Sequence, residues 1–235
     1  MKKNMLAMSF LAVSGLWAQT PEVVLSPVDH LYVPAGFDNN DNVELVVTGY
    51  FPNPCYARNK VEVNVKDSKI NLKVTALYRG EDKSLMCPQM LVPYKEVITV
   101  GNLQGGDYEI NVNNENGNGL KDSITVVEAS SNSVDDNLYA LVDYVAKDER
   151  TGEITITGYN FSDCIQLDKI EYLSNKKDTI SVMPIMKKVS SFCPMKMVPY
   201  THVITPPSES IKSDKMLLHV RTIDGKSING IFEVK

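Results

Sequence analysis

The segments CPQMLVPY (residues 87–94) and CPMKMVPY (residues 193–200) are two versions of one sequence. The similarity continues downstream to Thr99 and Thr205, with a constant separation of 106 residues. A repeat of this period is typical of a domain that occurs twice in tandem, and about 100 residues is the commonest domain size. The segment therefore predicts two copies of one small domain in this chain of 235 residues.

Each copy has a matching upstream segment that also ends at a cysteine. Thr48-Gly49-Tyr50 leads to Cys55, and Thr157-Gly158-Tyr159 leads to Cys164. Four cysteines allow three pairings, but the repeat favours the one in which each domain closes its own loop. We therefore predict the disulfide bonds Cys55–Cys87 and Cys164–Cys193. Each closes a loop of about 30 residues and should add roughly 2–4 kcal/mol to stability.

The residues between these landmarks predict an all-β fold. Val61, Val63 and Val65 alternate with polar residues, which is the period of a half-buried strand, and a similar alternation follows at Ile70 to Val74. Frequent turn sequences separate such runs, and no segment sustains a helical period. We predict two tandem antiparallel β-sandwich domains of the immunoglobulin-like type, with a small barrel as the alternative.

The N-terminus has the features of a secretory signal peptide. Lys2 and Lys3 precede a short apolar run from Met5 to Trp17, which is too short to span a bilayer. Together with the disulfide framework, this predicts a periplasmic or secreted protein. The predicted organisation is a signal peptide at 1–18, a first domain at 21–128, a linker at 129–138 and a second domain at 139–235.

The charge of the chain limits its partners. The formal net charge is −5, and it becomes more negative if Lys2 and Lys3 are removed with the signal peptide. Nucleic acid and anionic lipid are therefore unfavourable partners. No later stretch is apolar enough for a membrane helix. We expect a protein or glycan partner at the cell envelope, and the sequence leaves the oligomeric state open.

One loop sequence carries a resemblance to known proteins. Gly49-Tyr50-Phe51-Pro52-Asn53-Pro54-Cys55, followed by Cys87 and Pro93-Tyr94, resembles a loose group of bacterial exported proteins with tandem immunoglobulin-like β-sandwich domains and a G-x-x-P-x-P-C loop. The second copy departs from it, because Asn160 to Asp163 replace the prolines. The resemblance implies an exported β-sandwich and no particular activity. Trp17 is the single tryptophan, so neither domain has the core tryptophan of an antibody domain.

The same loop is the candidate binding surface. A proline-stiffened aromatic loop that is tied down by a disulfide loses little entropy on docking. We predict a binding role for four residues: Phe51, Pro52, Tyr56 and Phe161. For Phe51 and Tyr56 the alternative is packing at the end of the core, and for the recurring Tyr50 and Tyr159 we predict core positions. The recurring Tyr94 and Tyr200 should pack and hold a neighbouring loop in place.

Catalytic and metal sites find little support. His30, His202 and His219 do not recur between the copies, no G-x-S-x-G elbow is present, and we predict no catalytic residue and no enzyme activity. Methionines near Cys193 and His202 suit Cu(I), but methionine also fills cores, which we favour; they are Met183, Met186, Met195 and Met197. Acidic residues that could bind calcium lack the spacing of a calcium loop; they are Asp38, Asp41, Asp135 and Asp136. We therefore predict no cofactor and no metal.

Taken together, these features predict a non-enzymatic binding or interaction protein of the envelope or the secreted fraction. The alternative from another class is a protease inhibitor that presents the loop from Phe51 to Tyr56. An exposed, extended conformation of this loop would favour the inhibitor.

Overall fold

The computed structural model describes residues 20–80, 86–114 and 117–234, and the predicted signal peptide lies outside these residues. Within them the chain forms fifteen β-strands and one short 3₁₀ turn at Ser208–Ser210. The strands are β1 Glu22–Leu25, β2 His30–Tyr32, β3 Val43–Phe51, β4 Tyr56–Lys66, β5 Lys69–Tyr78, β6 Val92–Gly101, β7 Gly106–Val112, β8 Leu120–Val126, β9 Leu141–Lys147, β10 Ile154–Asn160, β11 Ile165–Ser174, β12 Thr179–Lys188, β13 Val198–Ile204, β14 Lys215–Thr222 and β15 Lys226–Glu233. In the part of the chain that is described, no helix is long and apolar enough to cross a membrane.

The two halves of the chain repeat one topology. In the first half, β2-β3-β6 form one sheet, and β4, β5, β7, β8 and β1 form the other. In the second half, β9-β10-β13 form one sheet, and β11-β12-β14-β15 form the other. The pairing is antiparallel except between β5 and β7 and, at the equivalent place, between β12 and β14. The sequence repeat is therefore a repeat of the fold, with β1 as an addition to the first half.

Each half is a β-sandwich with its own core. Alternating side chains of both sheets meet in one apolar cluster per half, as the period of two requires. In the first half this cluster includes Val47, Ile70 and Ile110, and in the second it includes Ile156 and Leu218. The predicted all-β fold with two tandem sandwiches is confirmed.

The disulfide pairing is also confirmed. Cys55 is bonded to Cys87 with a Cα–Cα distance of 5.6 Å, and Cys164 is bonded to Cys193 with a distance of 5.5 Å. Each bond lies within one half and joins the turn after β3 or β10 to the loop before β6 or β13. Two disulfide bonds indicate an oxidising environment, either extracellular or periplasmic.

The two sandwiches pack on each other through one sheet of each. Tyr32 and Val46, on the outer face of the first half, form an apolar cluster with Leu217 and Ile231 of the second half. In the second half, β12 is buried on both faces, since every residue from Thr179 to Met186 is buried. Two-sided burial is unusual for a sheet in a lone sandwich. Here the first half covers the outer face at Ser181, whereas Tyr139 of the second half covers it at Met183 and Ile185.

Polar contacts cross the same interface. The Arg221 guanidinium pairs with the Asp41 carboxylate, and both side chains are buried. The Ser181 hydroxyl donates to the Ala35 carbonyl over 2.6 Å. His30 Nε2 lies 2.8 Å from the Asp178 carboxylate. A buried charge or polar group that loses its partner is strongly destabilising, so these contacts favour a single orientation of the two halves.

The segment between the halves is folded onto both of them. Ser130 and Ser131 donate their hydroxyl hydrogens to Asp136, which closes a compact turn. Asn40 donates to the Ser131 carbonyl over 2.6 Å, which ties the segment to the first half. The Gly225 amide donates to Asp135 over 3.4 Å, which ties it to the second. The segment predicted to be a linker is thus held in a defined conformation.

Candidate functional site

A contact between a glycine and a tyrosine defines the end of each sandwich at which the disulfide lies. Gly49 of β3 pairs directly with Tyr94 of β6, and the Tyr94 hydroxyl donates to the Pro27 carbonyl over 2.5 Å. A Cβ on residue 49 would lie 2.2 Å from that carbonyl oxygen and 2.8 Å from the tyrosine ring. A side chain of any size would therefore break the contact, which is why glycine stands here.

The second half repeats this contact with different surroundings. Gly158 pairs with Tyr200, whose hydroxyl donates to the Leu141 carbonyl over 3.1 Å. A Cβ on Gly158 would lie 1.9 Å from that oxygen. Burial raises the pKa of both tyrosines, and the charge of Asp143 adds to the effect at Tyr200. The prediction that the recurring tyrosines hold a neighbouring segment is confirmed.

Phe51, which we considered as a binding residue, lies in the core. Its side chain is only 3% exposed and its ring stacks on Tyr94, with 4.5 Å between centroids, and on Tyr56, with 5.9 Å. Ala76 completes the cluster. The core alternative therefore applies to Phe51, and Tyr56 is half-buried against it.

The turn that follows Phe51 is compact. The Asn53 side-chain oxygen accepts a hydrogen bond from the Cys55 amide over 3.0 Å, and the Asn53 carbonyl accepts one from Tyr56. Asn53 itself is buried, so only Pro52 and Pro54 are exposed there. This is not the extended loop that a protease inhibitor of the predicted kind would present.

Tyr50 and Tyr159 are on the surface, so their predicted core positions were wrong. Tyr50 is 43% exposed and Tyr159 is similarly exposed. The physical reason is that Gly49 does not end its strand: β3 continues to Phe51, and strict alternation turns Phe51 inward and Tyr50 outward. Phe161, at the end of β10, is exposed, as its predicted binding role requires.

The most exposed apolar side chains lie elsewhere, in the loops that carry the second cysteine of each disulfide. We define loop 1 as the described residues between β5 and β6, which are 79–80 and 86–91, and loop 2 as residues 189–197, between β12 and β13. Met86 in loop 1 is 92% exposed and Met195 in loop 2 is 91% exposed. The other exposed apolar residues of these loops are Met90, Leu91, Val189, Phe192 and Met197.

Both loops are anchored in the same way. The Arg79 amide donates to the Cys55 carbonyl over 3.1 Å, and the Val189 amide donates to the Cys164 carbonyl over 2.8 Å. In loop 2 the Lys196 amide also donates to the Phe161 carbonyl, which places Phe161 beside the loop. Each loop is thus fixed at its start by a backbone hydrogen bond and further along by the disulfide, while the apolar side chains named above are exposed to water.

Sequence reasoning missed these loops as a surface. We expected methionines near Cys193 to fill the core, and this is correct for Met183 and Met186 but wrong for Met195 and Met197. Periodicity does not mark loop 2, because Met195, Lys196 and Met197 alternate as in a strand. The signal in the sequence is the proline after each loop cysteine, Pro88 and Pro194, since proline is unfavourable inside a sheet and favours a loop.

The histidines do not form a catalytic arrangement. His219 is fully buried, and its Nδ1 lies 2.9 Å from the Asn229 side-chain oxygen. Burial lowers the pKa of His219 to about 4, the positive charge of Arg221 acts in the same direction, and the hydrogen bond with Asn229 opposes them. Since the Asn229 amide nitrogen donates to Ser227, its oxygen faces the imidazole and accepts from Nδ1–H.

The other two histidines also have packing partners. His202 stacks on Tyr200, with 4.8 Å between ring centroids, and burial lowers its pKa. His30 pairs with Asp178 at the edge of the interface. Burial alone would raise the pKa of Asp178, but hydrogen bonds from His30, Asn175 and Thr179 hold it below its usual range. Asp178 and His30 therefore form a contact between the halves.

The residues considered as metal ligands do not form a metal-binding group in the described part of the chain. Across residues 20–80, 86–114 and 117–234, no three His, Cys, Asp or Glu side chains come together to hold an ion. Cys193 is in a disulfide, and Met183 packs with Tyr139 and Ile185, away from water. Of the acids proposed for calcium, Asp41 pairs with Arg221.

A groove of about 570 Å³ lies between the halves, next to the first glycine–tyrosine contact. Tyr50 and Tyr94 line it from the first half, and Asp214 and Lys215 line it from the second. Lys95 reaches across it and donates to the Asn229 carbonyl over 2.8 Å, and burial lowers its pKa. The groove therefore carries charges of both signs and is partly closed by a contact between the halves.

One comparison bears on the fold. The chain is similar to the ORF11 beta-sandwich domain over residues 45–126. The match begins in β3, ends with β8 and includes Cys55 and Cys87, so it covers most of the first sandwich and none of the second. No curated protein and no solved structure shows a significant match to the chain.

Proposed function

We propose that this protein is a non-enzymatic interaction module of bacterial exported type, which binds a partner protein through the exposed apolar side chains of loops 1 and 2. The observation that carries the proposal is the recurrence of these side chains at the same place in both halves. Met86 and Phe192 stand at equivalent positions of the repeat, as do Leu91 and Met197, and all four side chains are more than half exposed. Contiguous exposed apolar surface is a feature of interaction sites.

The chemistry of the loops favours a protein over a glycan. Methionine, leucine and phenylalanine gain free energy when they leave water, at about 25 cal/mol per Å² of apolar surface. Methionine is flexible and adapts to irregular apolar surfaces, as in binding proteins that accept several targets. A glycan needs hydrogen-bonding groups and aromatic faces, and Phe192 is the one aromatic side chain in the described parts of the two loops.

Export is part of the proposal. The basic and apolar character of residues 2–17 supports a signal peptide, and the two disulfide bonds support an oxidising compartment. The anchoring of each loop at its cysteine supports a binding role, because a loop that is already ordered loses less entropy on docking. Two loops on one chain would also provide avidity if one partner can reach both.

The test uses the protein from Gln19 onward and three variants. The first replaces Met86, Met90 and Leu91 with serine, and the second replaces Phe192, Met195 and Met197 with serine. The control variant, Val23→Ser/Val203→Ser, removes comparably exposed apolar side chains outside the loops. Crosslinking capture from envelope and secreted fractions identifies the partner, and calorimetry with the purified partner then gives Kd for each protein.

We expect each loop variant to raise Kd by about tenfold or more, since central interface residues each contribute roughly 1–4 kcal/mol, while the control binds like the wild type. Equal affinity of all four proteins would refute the role of the loops. Loss of capture after enzymatic deglycosylation of the fractions, with no effect of the loop variants, would favour a glycan ligand instead.

The protease-inhibitor alternative has less support. Asn53 and Phe51 are buried, so a protease could reach only Pro52 and Pro54 in the turn between β3 and β4.

A further inference from the structure

The methionines of this protein fall into two groups. Seven of the ten lie in the described residues. Four are exposed, and all four lie in loops 1 and 2: Met86, Met90, Met195 and Met197. The other three are at most 7% exposed and belong to the apolar clusters of the second half: Met183, Met186 and Met216.

Among the described residues, the sulfur atoms that solvent can reach and that are not in disulfide bonds are therefore the thioethers of loops 1 and 2. All four cysteines are in disulfide bonds and none is free, so no thiolate competes for an oxidant. A thioether reacts with hydrogen peroxide when a sulfur lone pair attacks one peroxide oxygen. The S–O bond forms as the O–O bond breaks, and the second oxygen leaves as water after proton transfer. Sulfur is oxidised to the sulfoxide and peroxide is reduced.

We propose that Met86, Met90, Met195 and Met197 are oxidation sites for peroxide, and that their conversion to sulfoxides removes the apolar surface of loops 1 and 2. The effect on binding rests on the proposed function, whereas the site selectivity does not. A sulfoxide is polar and accepts hydrogen bonds, so a loop that carries it no longer gains free energy by leaving water. The change is reversible by methionine sulfoxide reductases, unlike a sulfone.

The geometry gives both loops the same susceptibility. Met86 directly precedes Cys87, and Met195 lies two residues after Cys193. Both side chains are almost fully exposed. An oxidant in solution can reach their sulfur atoms without any opening of the fold. Met216 and Met186 lie inside the second sandwich, so peroxide can reach them only after local or global unfolding. The buried methionines are thus an internal control for the exposed ones.

The experiment treats the protein from Gln19 onward with a series of peroxide concentrations. Peptide mapping by mass spectrometry then measures oxidation at each methionine. We expect the four loop methionines to react at least about tenfold faster than the three buried ones, and all seven to react alike in denaturant. Equal rates in the native protein would overturn the proposal.

A matched variant separates oxidation from loss of structure. Replacing the four loop methionines with leucine keeps the loops apolar but removes the reactive sulfur. After peroxide, the wild type should elute earlier in hydrophobic-interaction chromatography, whereas the leucine variant should not change. Treatment with methionine sulfoxide reductases should restore the wild-type elution. An equal shift of both proteins, or none in either, would refute the effect of oxidation on the surface.

The purified partner provides the last readout. Its Kd for the wild type should rise by about tenfold after oxidation, and its Kd for the leucine variant should stay constant. Binding that is insensitive to mapped oxidation would overturn the regulatory role. If serine substitution of the loops also fails to change Kd, the proposed function fails, while the oxidation map still decides the selectivity.

Discussion

The buried His219 should make the stability of this protein sensitive to mild acid. Its folded-state pKa is about 4, whereas an unfolded histidine has a pKa of about 6.5. Between these values the unfolded chain binds a proton that the folded chain does not, so acid favours unfolding. The contribution of neutral His219 is intact above about pH 6.5 and is lost as the pH falls toward 4.

The size of the effect follows from the pKa difference. A difference of about 2.5 units corresponds to about 3 kcal/mol over the full range, and about 2 kcal/mol of this is lost between pH 7 and pH 5. His219 is fully buried, so solvent screening does not reduce this value. Arg221, Asn229 and Phe37 contact the ring, and none of them carries a negative charge. The acids that line the same small cavity are Asp41, which pairs with Arg221, Glu44, which accepts from Ser227, and Asp135.

Urea titrations followed by circular dichroism at pH 7 and pH 5 measure this loss. We expect His219→Gln, which can still donate to Asn229, to lose about 2 kcal/mol less than the wild type between the two pH values. His202→Gln controls for removal of a histidine from a half-buried position. The reasoning would be refuted if His219→Gln and the wild type lost the same free energy of unfolding.

Two further predictions concern the first sandwich. Gly49→Ala should lower the free energy of unfolding by about 2–4 kcal/mol in urea titrations, because the new Cβ overlaps the Pro27 carbonyl. The control is Gly105→Ala, which should cost far less because its Cβ meets only the flexible Glu128 carboxylate. Similar losses in both variants would contradict the role of the glycine–tyrosine contact. Replacing Cys55 and Cys87 together with serine should remove about 2–4 kcal/mol and lower Tm in calorimetry, and an unchanged Tm would show that this disulfide does not stabilise the fold.

The all-β fold, its duplication and the disulfides were accessible from sequence because each depends on local patterns. Alternation at Val61 to Val65 and the cysteine spacing each repeat after about one domain length, so two copies support the same interpretation. The hairpin at Asp67-Ser68 follows from a polar pair between two alternating runs, and both residues have positive φ as a tight turn requires.

The interface between the halves was not predicted, because its polar members look like surface residues. Arg221 and Asp41 are 180 positions apart, and nothing in either local sequence marks a buried ion pair. A signal did exist in β12, where Thr179 to Met186 is almost continuously apolar and so favours burial on both faces. It indicates that something covers the strand, but it does not identify the first half as the cover.

Of the predicted binding residues, Phe51 faces the core, whereas Pro52 and Phe161 are exposed at the end of their sandwich. We expected Phe51 to lie in an exposed aromatic loop, but β3 extends to Phe51. Because successive side chains of a strand point to opposite faces, Phe51 faces the core and Tyr50 faces water. Pro88 and Pro194 indicate loops, but the exposure of the side chains in loops 1 and 2 depends on which residues pack against them, and the local sequence does not show this. Phe161 remains the one predicted binding residue that lies beside a loop with exposed apolar side chains.

The glycine–tyrosine contacts have a consequence for how this protein could change over evolutionary time. Gly49 and Tyr94 lie within two or three residues of the points where the chain leaves the first sandwich, and Gly158 and Tyr200 hold the equivalent places in the second. Mutations of the exposed side chains in loops 1 and 2 alter these surfaces without disturbing the cores. Under the proposed function, selection can therefore vary partner preference separately in each copy while the scaffold stays constant. The two loops already share their anchors and differ in their side chains.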